Sequence, residues 1–413
     1  VPRAEIEAET EALLDRWFPR VVNPQGGYWT AFGYDWQLDS TAHPYLVTQA
    51  RHLWTSARAA QQFRQRPELA AAANHGFRFL TDSLWSPGEG GFRSRPGAWS
   101  EADLPPAQLV YGNAFALYAL AEYATLRRDS LSRAWVARQY HWLQARAYDP
   151  SHGGYHSYVF PDSVPASRRA RLNHMGWGMI DWKDQNTHIH LLEAYTRAYE
   201  VWPAPELRMQ LEKLLTLVRD TMVGPEGYLR LYFHPDWQPV NHRDSSRAYI
   251  LDGQDYDHVS FGHDIETAFL LLEAARVLYE TPDARSRAVA ARLLDHSLTY
   301  GFAPDYFGLY DRGYYFPSDT VPEIIGPKKT WWAQAEALHA LAYVQAYLPP
   351  DPRHAQAFLG LWRYIHTHLT DHAYGGWYNN GLDTDPDNRY RPKGHAWKGA
   401  YHNGRALMDL IRP

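Results

Sequence analysis

A short phrase of glycine followed by an aromatic or leucine residue recurs six times along the chain. It reads NPQGGYW at 23–29, PGEGGFRS at 87–94, DPSHGGYHSY at 149–158, GPEGYLRLYF at 224–233, APDYFGLYD at 303–311 and HAYGGWYNN at 372–380. Glycine supplies the turn conformation, and the large side chain that follows anchors the turn by packing against the protein. The phrases recur at intervals of roughly 65–80 residues, a period that predicts six copies of one structural unit.

Each phrase lies between two helical patterns of different character. The stretch before it is amphipathic, as in PELRMQLEKLLTLVRD at 205–220, where leucines share one face. The stretch after it is apolar on nearly every side, as in SFGHDIETAFLLLEAARVLYE at 260–280. The amphipathic stretches begin near Arg3, Pro67, Asp129, Pro205, Asp283 and Asp351. The apolar stretches cover 46–63, 109–126, 186–202, 260–280, 331–348 and 402–411.

Twelve helices of alternating exposure predict an all-α (α/α)6 barrel, with six inner and six outer helices. An open solenoid is the alternative, but the terminal units lack a polar cap, which favours a closed ring. No Ser- or Gly-rich linker interrupts residues 1–413, so a single catalytic domain is expected. All inner helices run in one direction, and their N-termini therefore share one face of the ring.

The composition limits the kinds of partner that this chain could bind. The net charge is −5 with both signs interspersed, which disfavours a nucleic-acid partner. The absence of cysteine excludes thiolate chemistry, and no apolar run approaches the ~20 residues that a membrane span needs. The 17 Trp and 29 Tyr suit sugar binding, because flat rings pack on sugar faces. We expect a cytoplasmic monomer or homodimer, or a periplasmic protein if a leader preceded Val1.

Titratable side chains gather in the first turns of the inner helices, and four of these helices carry histidine there. Histidine exchanges protons near neutral pH, so the shared face predicts a site for acid–base chemistry. The spacings His190–Glu193 and His263–Glu266 predict two pairs in which the carboxylate raises the histidine pKa. The gathered residues are Arg51, His52, Tyr111, Asn113, Asn186, His188, His190, His263, Asp264, Glu266, Trp331, Trp332, Gln334, Glu336, Tyr401, His402 and Asn403.

Three other functions remain open from these residues. A metal centre would use His, Asp and Glu, but the rings of His188 and His190 diverge on a helix and no HExxH occurs, so no metal is predicted. A glycoside hydrolase needs two carboxylates, for which Glu266, Glu336, Asp264 and Asp181 are candidates. A non-catalytic sugar-binding barrel would not need the histidines.

Four motifs resemble the N-acylglucosamine 2-epimerase superfamily, and most closely its cellobiose and mannose 2-epimerase group. They are NTHIHLLEAY at 186–195, SFGHDIE at 260–266, WWAQAEAL at 331–338 and WKGAYHNGRA at 397–406; ARHLWT at 50–55 and YGNAFALYAL at 111–120 match more weakly. The resemblance spans nearly the whole chain in order. It implies an (α/α)6 barrel that epimerises a reducing aldose at C2 without metal or cofactor.

The resemblance also implies roles for individual residues. His263 and His402 match the general acid/base pair that acts on opposite sides of C2 through a cis-enediol. His190 matches the histidine that opens the sugar ring, Glu266 the carboxylate that supports His263, and Arg51 the cation that stabilises the enediolate. The sugar-contacting positions are Tyr111, Asn113, Asn186, Trp331, Trp332, Glu336 and Trp397, to which we add Asp252.

Two segments depart from the cellobiose 2-epimerase pattern. MIDWKDQNTH at 179–188 leaves Asp181 and Asp184 without an assigned role. Residues 241–259 are longer than the matching segment and resemble a loop that covers the pocket in mannose 2-epimerases. We therefore expect a mobile lid and favour free mannose and glucose over a disaccharide such as cellobiose. An aldose–ketose isomerase of the same superfamily is the alternative, since it shares the enediol.

Overall fold

The computed structural model describes residues 1–96, 107–162, 164 and 179–411. The outer helices are α1 Arg3–Trp17, α3 Pro67–Phe79, α5 Ser130–Trp142, α7 Pro205–Leu217, α10 Ala284–His296 and α12 Pro352–Tyr364. The inner helices are α2 Leu46–Gln62, α4 Val110–Arg127, α6 Gln185–Val201, α9 Phe261–Tyr279, α11 Trp331–Tyr343 and α13 Tyr401–Leu410. A short helix, α8, covers Arg247–Leu251.

The inner helices form a closed ring. Each packs against the next in sequence, and α13 packs against α2. The prediction of an (α/α)6 barrel is confirmed.

Exposure separates the two rings, as the sequence pattern predicts. In α4 every residue from Val110 to Ala124 is buried, because the helix is enclosed on all sides. In α7 the buried leucines lie on one face, whereas Met209 opposite them is 49% exposed. Burial of the leucine face supplies most of the stability of such a helix.

The outer helices begin where the sequence provides a start signal. Asp129, Asp283 and Asp351 are N-caps whose carboxylates accept backbone N–H groups of the first turn. Pro67 and Pro205 occupy the first helical position, where the missing N–H costs nothing. From α3 onward each outer helix has 13 residues and continues into a wider, π-helical turn.

Short antiparallel strands hold the chain where it enters the inner helices. The pairs are β1 Ala31–Phe32 with β2 Leu38–Asp39, β3 Gln108–Leu109 with β4 Tyr158–Val159, and β5 Lys183–Asp184 with β6 Tyr232–Phe233. A three-stranded sheet joins β7 Val259–Ser260, β8 Arg312–Tyr314 and β9 Glu323–Gly326. Strands β3, β5 and β7 lead directly into α4, α6 and α9, so they fix the first turns of these helices.

The segment 241–259 packs against the β8–β9 hairpin. Ile250 of α8 forms a small apolar cluster with Tyr314 and Phe316, separate from the main core. Two hydrogen bonds reinforce this packing. Arg312 Nη1 donates to Asp255 Oδ2 at 2.8 Å, and Tyr314 Oη donates to Asp257 Oδ1 at 2.8 Å. These contacts tie the expected lid to the hairpin.

None of the helices in the described part of the chain combines the length and the apolar character that crossing a bilayer requires.

Candidate active site

Six polar side chains at the starts of the inner helices bind the backbone of the glycine–aromatic turns; we call them the turn clamps. Gln49 accepts the Tyr28 N–H at 2.8 Å and donates to the Tyr28 carbonyl at 2.7 Å. Asn113 does the same with Phe92, at 2.8 and 3.0 Å. The other clamps are His188 on Tyr155 N, Asp264 on Leu229 N, Gln334 on Leu309 N and O, and Lys398 on Trp377 O.

The clamps explain part of the polar cluster that the sequence places at this face. Each one satisfies backbone groups that would otherwise be buried without partners. Asn113 is fully buried with its amide on the turn, so the structure does not bring this predicted sugar contact into the site. His52 also lies apart, between the rings of Trp17 and Tyr28. Three inner helices therefore bring histidine to the barrel axis.

Arg405 of α13 stands at the centre of the residues that face this axis. Its Nη2 donates to Glu266 Oε1 at 2.8 Å and to Glu336 Oε2 at 2.5 Å. Its Nη1 donates to the Tyr401 hydroxyl at 2.6 Å and to Glu193. One buried guanidinium thus binds carboxylates from three inner helices.

Two histidines are held by carboxylates of this cluster. His190 Nδ1 lies 2.9 Å from Glu193 Oε2, which confirms the predicted i,i+3 pair. His402 Nδ1 lies 2.5 Å from Glu336 Oε1, on the neighbouring helix α11. Because a carboxylate accepts hydrogen bonds, it favours a proton on Nδ1 and leaves Nε2 directed away from the pair.

His263 is bound differently from the prediction. Its Nδ1 lies 2.7 Å from Ser260 Oγ. Glu266, predicted to support it, binds Arg405 instead. The indole of Trp332 packs near both expected bases, with ring centroids 4.7 Å from His263 and 5.9 Å from His402.

Burial dominates the electrostatics of the cluster. It lowers the pKa of His263 from 6.5 to about 3, and lowers the pKa values of His190 and His402 well below 6.5, with Arg51 adding to the effect on both. The predicted rise of histidine pKa was wrong, because the loss of solvation outweighs the carboxylate. Burial raises the pKa of Glu266 to about 8 and that of Glu336 well above 4.5.

Arg51 of the neighbouring helix α2 is a second buried guanidinium at this axis. Its guanidinium donates to Tyr111 Oη at 2.8 Å and to the Trp397 carbonyl at 2.9 Å. It stacks 4.3 Å from the centroid of Phe115. The ring of Phe115 in turn lies 4.6 Å from His190, so the predicted cation and the predicted ring-opening histidine share one wall.

A cavity of about 470 Å³ opens at the N-terminal ends of the inner helices. Four of the predicted site residues line it: Asn186, His263, Trp331 and Trp332. Of the segment 241–259, only His258 does so. The predicted contact Asp252 is exposed at the end of α8 and does not line this cavity.

Arg405, Tyr401 and Ser260 belong to the site but were not singled out as catalytic or supporting residues from the sequence. For Arg405 a signal existed: an arginine three residues after His402 in an otherwise apolar helix lies on the same face as the histidine. Ser260 gave no such signal, because serine before a helix normally reads as a cap.

Glu266, Glu336 and His402 offer ligand atoms within 4.8 Å of one another, which is a spacing that could hold a metal ion. Arg405 already donates to both carboxylates. A bound cation would therefore meet a fixed positive charge, so the donor set fits a metal poorly.

Residues 27–406 match the N-acylglucosamine 2-epimerase (GlcNAc 2-epimerase) family. The chain belongs to this family. It is 27% identical over 420 residues to a cellobiose 2-epimerase of Bacteroides fragilis, covering 99% of this chain and 98% of that one. It is 24% identical to a D-mannose isomerase of Marinomonas mediterranea, covering 98% and 96%. Membership in this family makes the protein an enzyme of the sugar epimerase and isomerase type.

Solved structures agree on the fold. A cellobiose 2-epimerase of Spirochaeta thermophila superposes with a TM-score of 0.78 at 27% identity, covering 99% of this chain and 96% of that chain. An α-mannanase of Bacteroides thetaiotaomicron superposes with a TM-score of 0.63 at 10% identity, covering 100% and 96%. At that identity the mannanase shares the barrel alone, since one fold serves several chemistries.

Proposed function

We propose that the protein interconverts the glucose and mannose configurations at C2 of a reducing aldose. The observation that supports this most is the pair His263 and His402, whose ring centroids lie 4.7 and 5.9 Å from that of Trp332. Each ring has Nδ1 engaged, which leaves Nε2 for the substrate. An imidazole accepts a proton from one face of C2 when its Nε2 is unprotonated and delivers one to the other face when its Nε2 is protonated, so two histidines suit this exchange.

In this mechanism the sugar ring opens first, with His190 moving the proton from the O1 hydroxyl to the ring oxygen O5. One of the two bases then takes the C2 proton on Nε2. The electron pair of the broken C–H bond forms the C1–C2 double bond of a cis-enediol, and the negative charge on O1 is stabilised by Arg51. The other histidine, protonated on Nε2 for this step, delivers that proton to the opposite face of C2. The sugar thus exchanges one proton for another, and the two histidines recover their starting states by exchanging protons with solvent.

The carboxylates favour this chemistry over glycoside hydrolysis. A hydrolase separates its two carboxyl groups across the cleaved bond and keeps one as a proton donor. Glu266 and Glu336 instead bind the same Nη2 atom of Arg405. They are held side by side, where they orient the histidine cluster.

Free D-mannose and D-glucose are the substrates that we favour. The segment 241–259 contacts Arg312, which lines the cavity, and a lid formed by this segment would leave less room for a second sugar. The named activity of the Bacteroides fragilis relative makes cellobiose the first alternative. The D-mannose isomerase relative makes aldose–ketose isomerisation the second, in which the enediol is protonated at C1.

Incubation with mannose, glucose and cellobiose in D2O, followed by NMR, tests the proposal. Deuterium at C2 together with the other aldose is the expected result. Ketose as the main product would establish an isomerase, and glucose released from cellobiose a hydrolase. The same assay in EDTA should keep full activity. Loss of activity that one divalent ion restores would contradict the metal-free mechanism.

A further inference from the structure

The three histidines of the site differ in what holds Nδ1. His190 and His402 face carboxylates, at 2.9 and 2.5 Å. His263 faces the hydroxyl of Ser260 at 2.7 Å. A carboxylate only accepts and carries charge, whereas a hydroxyl is neutral and can either accept or donate. Of the three rings, His263 alone has an Nδ1 partner compatible with both tautomers.

Ser260 occupies the N-cap position of α9, yet its side chain makes no capping hydrogen bond. A serine at this position normally accepts a backbone N–H of the first turn, which stabilises the helix. Here the hydroxyl is directed to the imidazole three residues later. The interaction with His263 replaces the cap, which points to a role beyond helix formation.

Strand pairing fixes the backbone of Ser260 and links it to the expected lid, the segment 241–259. Ser260 pairs with Arg312 across strands β7 and β8. Arg312 in turn binds Asp255 of the segment 241–259. The residue is 5% exposed, so its hydroxyl has little freedom to turn toward solvent.

We propose that Ser260 is a positioning residue for His263: its hydroxyl holds Nδ1 and directs Nε2 toward C2 of the sugar without adding a charge. This inference rests on the proposed epimerisation. It makes the two bases unequal in their support, because Nδ1 of His402 faces a carboxyl group and Nδ1 of His263 faces a neutral hydroxyl.

The test is deuterium exchange at C2 for each epimer separately. The epimer that still exchanges in His402→Asn is the one that His263 serves. In Ser260→Ala we expect exchange into that epimer to fall about 5–10-fold, the effect of one neutral hydrogen bond, with KM nearly unchanged. Exchange into the other epimer should stay within about two-fold, because His402 and Glu336 are untouched. Ser260→Thr, which keeps the hydroxyl, should restore most of the loss.

A matched control is Ser297→Ala, which removes a fully buried serine hydroxyl that has no hydrogen-bond partner in the described part of the chain. This variant should leave both exchange rates unchanged. Thermal unfolding of Ser260→Ala should differ only slightly from that of the parent, since one hydrogen bond but no helix cap is lost. Wild-type rates for both epimers in Ser260→Ala, or equal losses for both, would overturn the inference. Absence of any C2 exchange in the unaltered enzyme would instead overturn the proposed function.

Discussion

Neighbouring residues in the first turns of the inner helices have two different roles: some bind the glycine–aromatic turns, and others form the candidate site. Asp264 accepts the backbone N–H of Leu229 in a glycine–aromatic turn. His263 beside it lines the cavity, and Glu266 binds Arg405. Likewise His188 clamps Tyr155, and His190 faces the axis. Adjacent helical residues point about 100° apart, so residue type alone does not distinguish the clamps from the site. Substitutions in the two sets should separate stability from catalysis.

The largest effect is expected for the axis-facing bases. His263→Asn and His402→Asn should each reduce net epimerisation by about 10²–10⁴-fold or more, because a general acid/base is lost. Each variant should retain C2 exchange with one epimer, and the two variants with opposite epimers. Turnover assays and NMR in D2O measure both.

His372→Asn, at an exposed histidine, is the control and should behave as the parent. Near-normal epimerisation in either base variant would show that the pair is misassigned, and His190 would be the next candidate.

Substitutions of the turn clamps should lower stability and leave catalysis nearly unchanged. Asn113→Ala and Gln334→Ala each leave a buried backbone N–H and C=O without these partners, which should cost about 1–3 kcal/mol of unfolding free energy. The kcat of the folded enzyme should stay close to the parent value. Urea denaturation and kcat on the same preparations separate the two quantities. A large fall in kcat at unchanged stability would show that Asn113 contacts the substrate, as the sequence predicts.

The pH profile offers a smaller but direct test of burial. Since burial lowers the pKa of His263 to about 3, its charged form gains population only as pH falls toward that value. His258 is the titratable neighbour that lowers this pKa further, and His263 in turn lowers the pKa values of His190 and His402. We expect kcat/KM to stay level as pH falls through about 6.5, where an unperturbed histidine would protonate. A fall that is half complete near that pH would show that the site is more solvated than the structure indicates.

The smallest effect is expected at Asp252. It is exposed and does not line the cavity, so Asp252→Ala should change KM by less than about two-fold, as for a surface substitution worth under about 0.5 kcal/mol. Steady-state kinetics on mannose and glucose measure this. A KM increase well above that range would indicate that α8 moves over the bound sugar.

The fold was largely predictable because the pattern is local. Periodic leucines, Asp and Pro start signals and the glycine phrase each act within one unit, and the observed helices begin within a residue or two of the predicted positions. The shared face of the inner N-termini followed from their common direction.

Within the site, the contacts made inside one helix were predictable and those made across helices were not. His190–Glu193 is an i,i+3 contact and was predicted. The pairing of Glu336 with His402, and of Glu266 with Arg405, depends on how α9, α11 and α13 meet after the ring closes. Sequence spacing carries no information about that meeting.

Ring closure also sets when activity can arise during synthesis. The helix that packs between α11 and α2 follows the other five inner helices along the chain, and it carries His402 and Arg405. A nascent chain in which α13 has not yet emerged holds the first five inner helices but neither the proposed second base nor the guanidinium that binds the three carboxylates. We therefore expect no epimerisation from chains that stop before Tyr401.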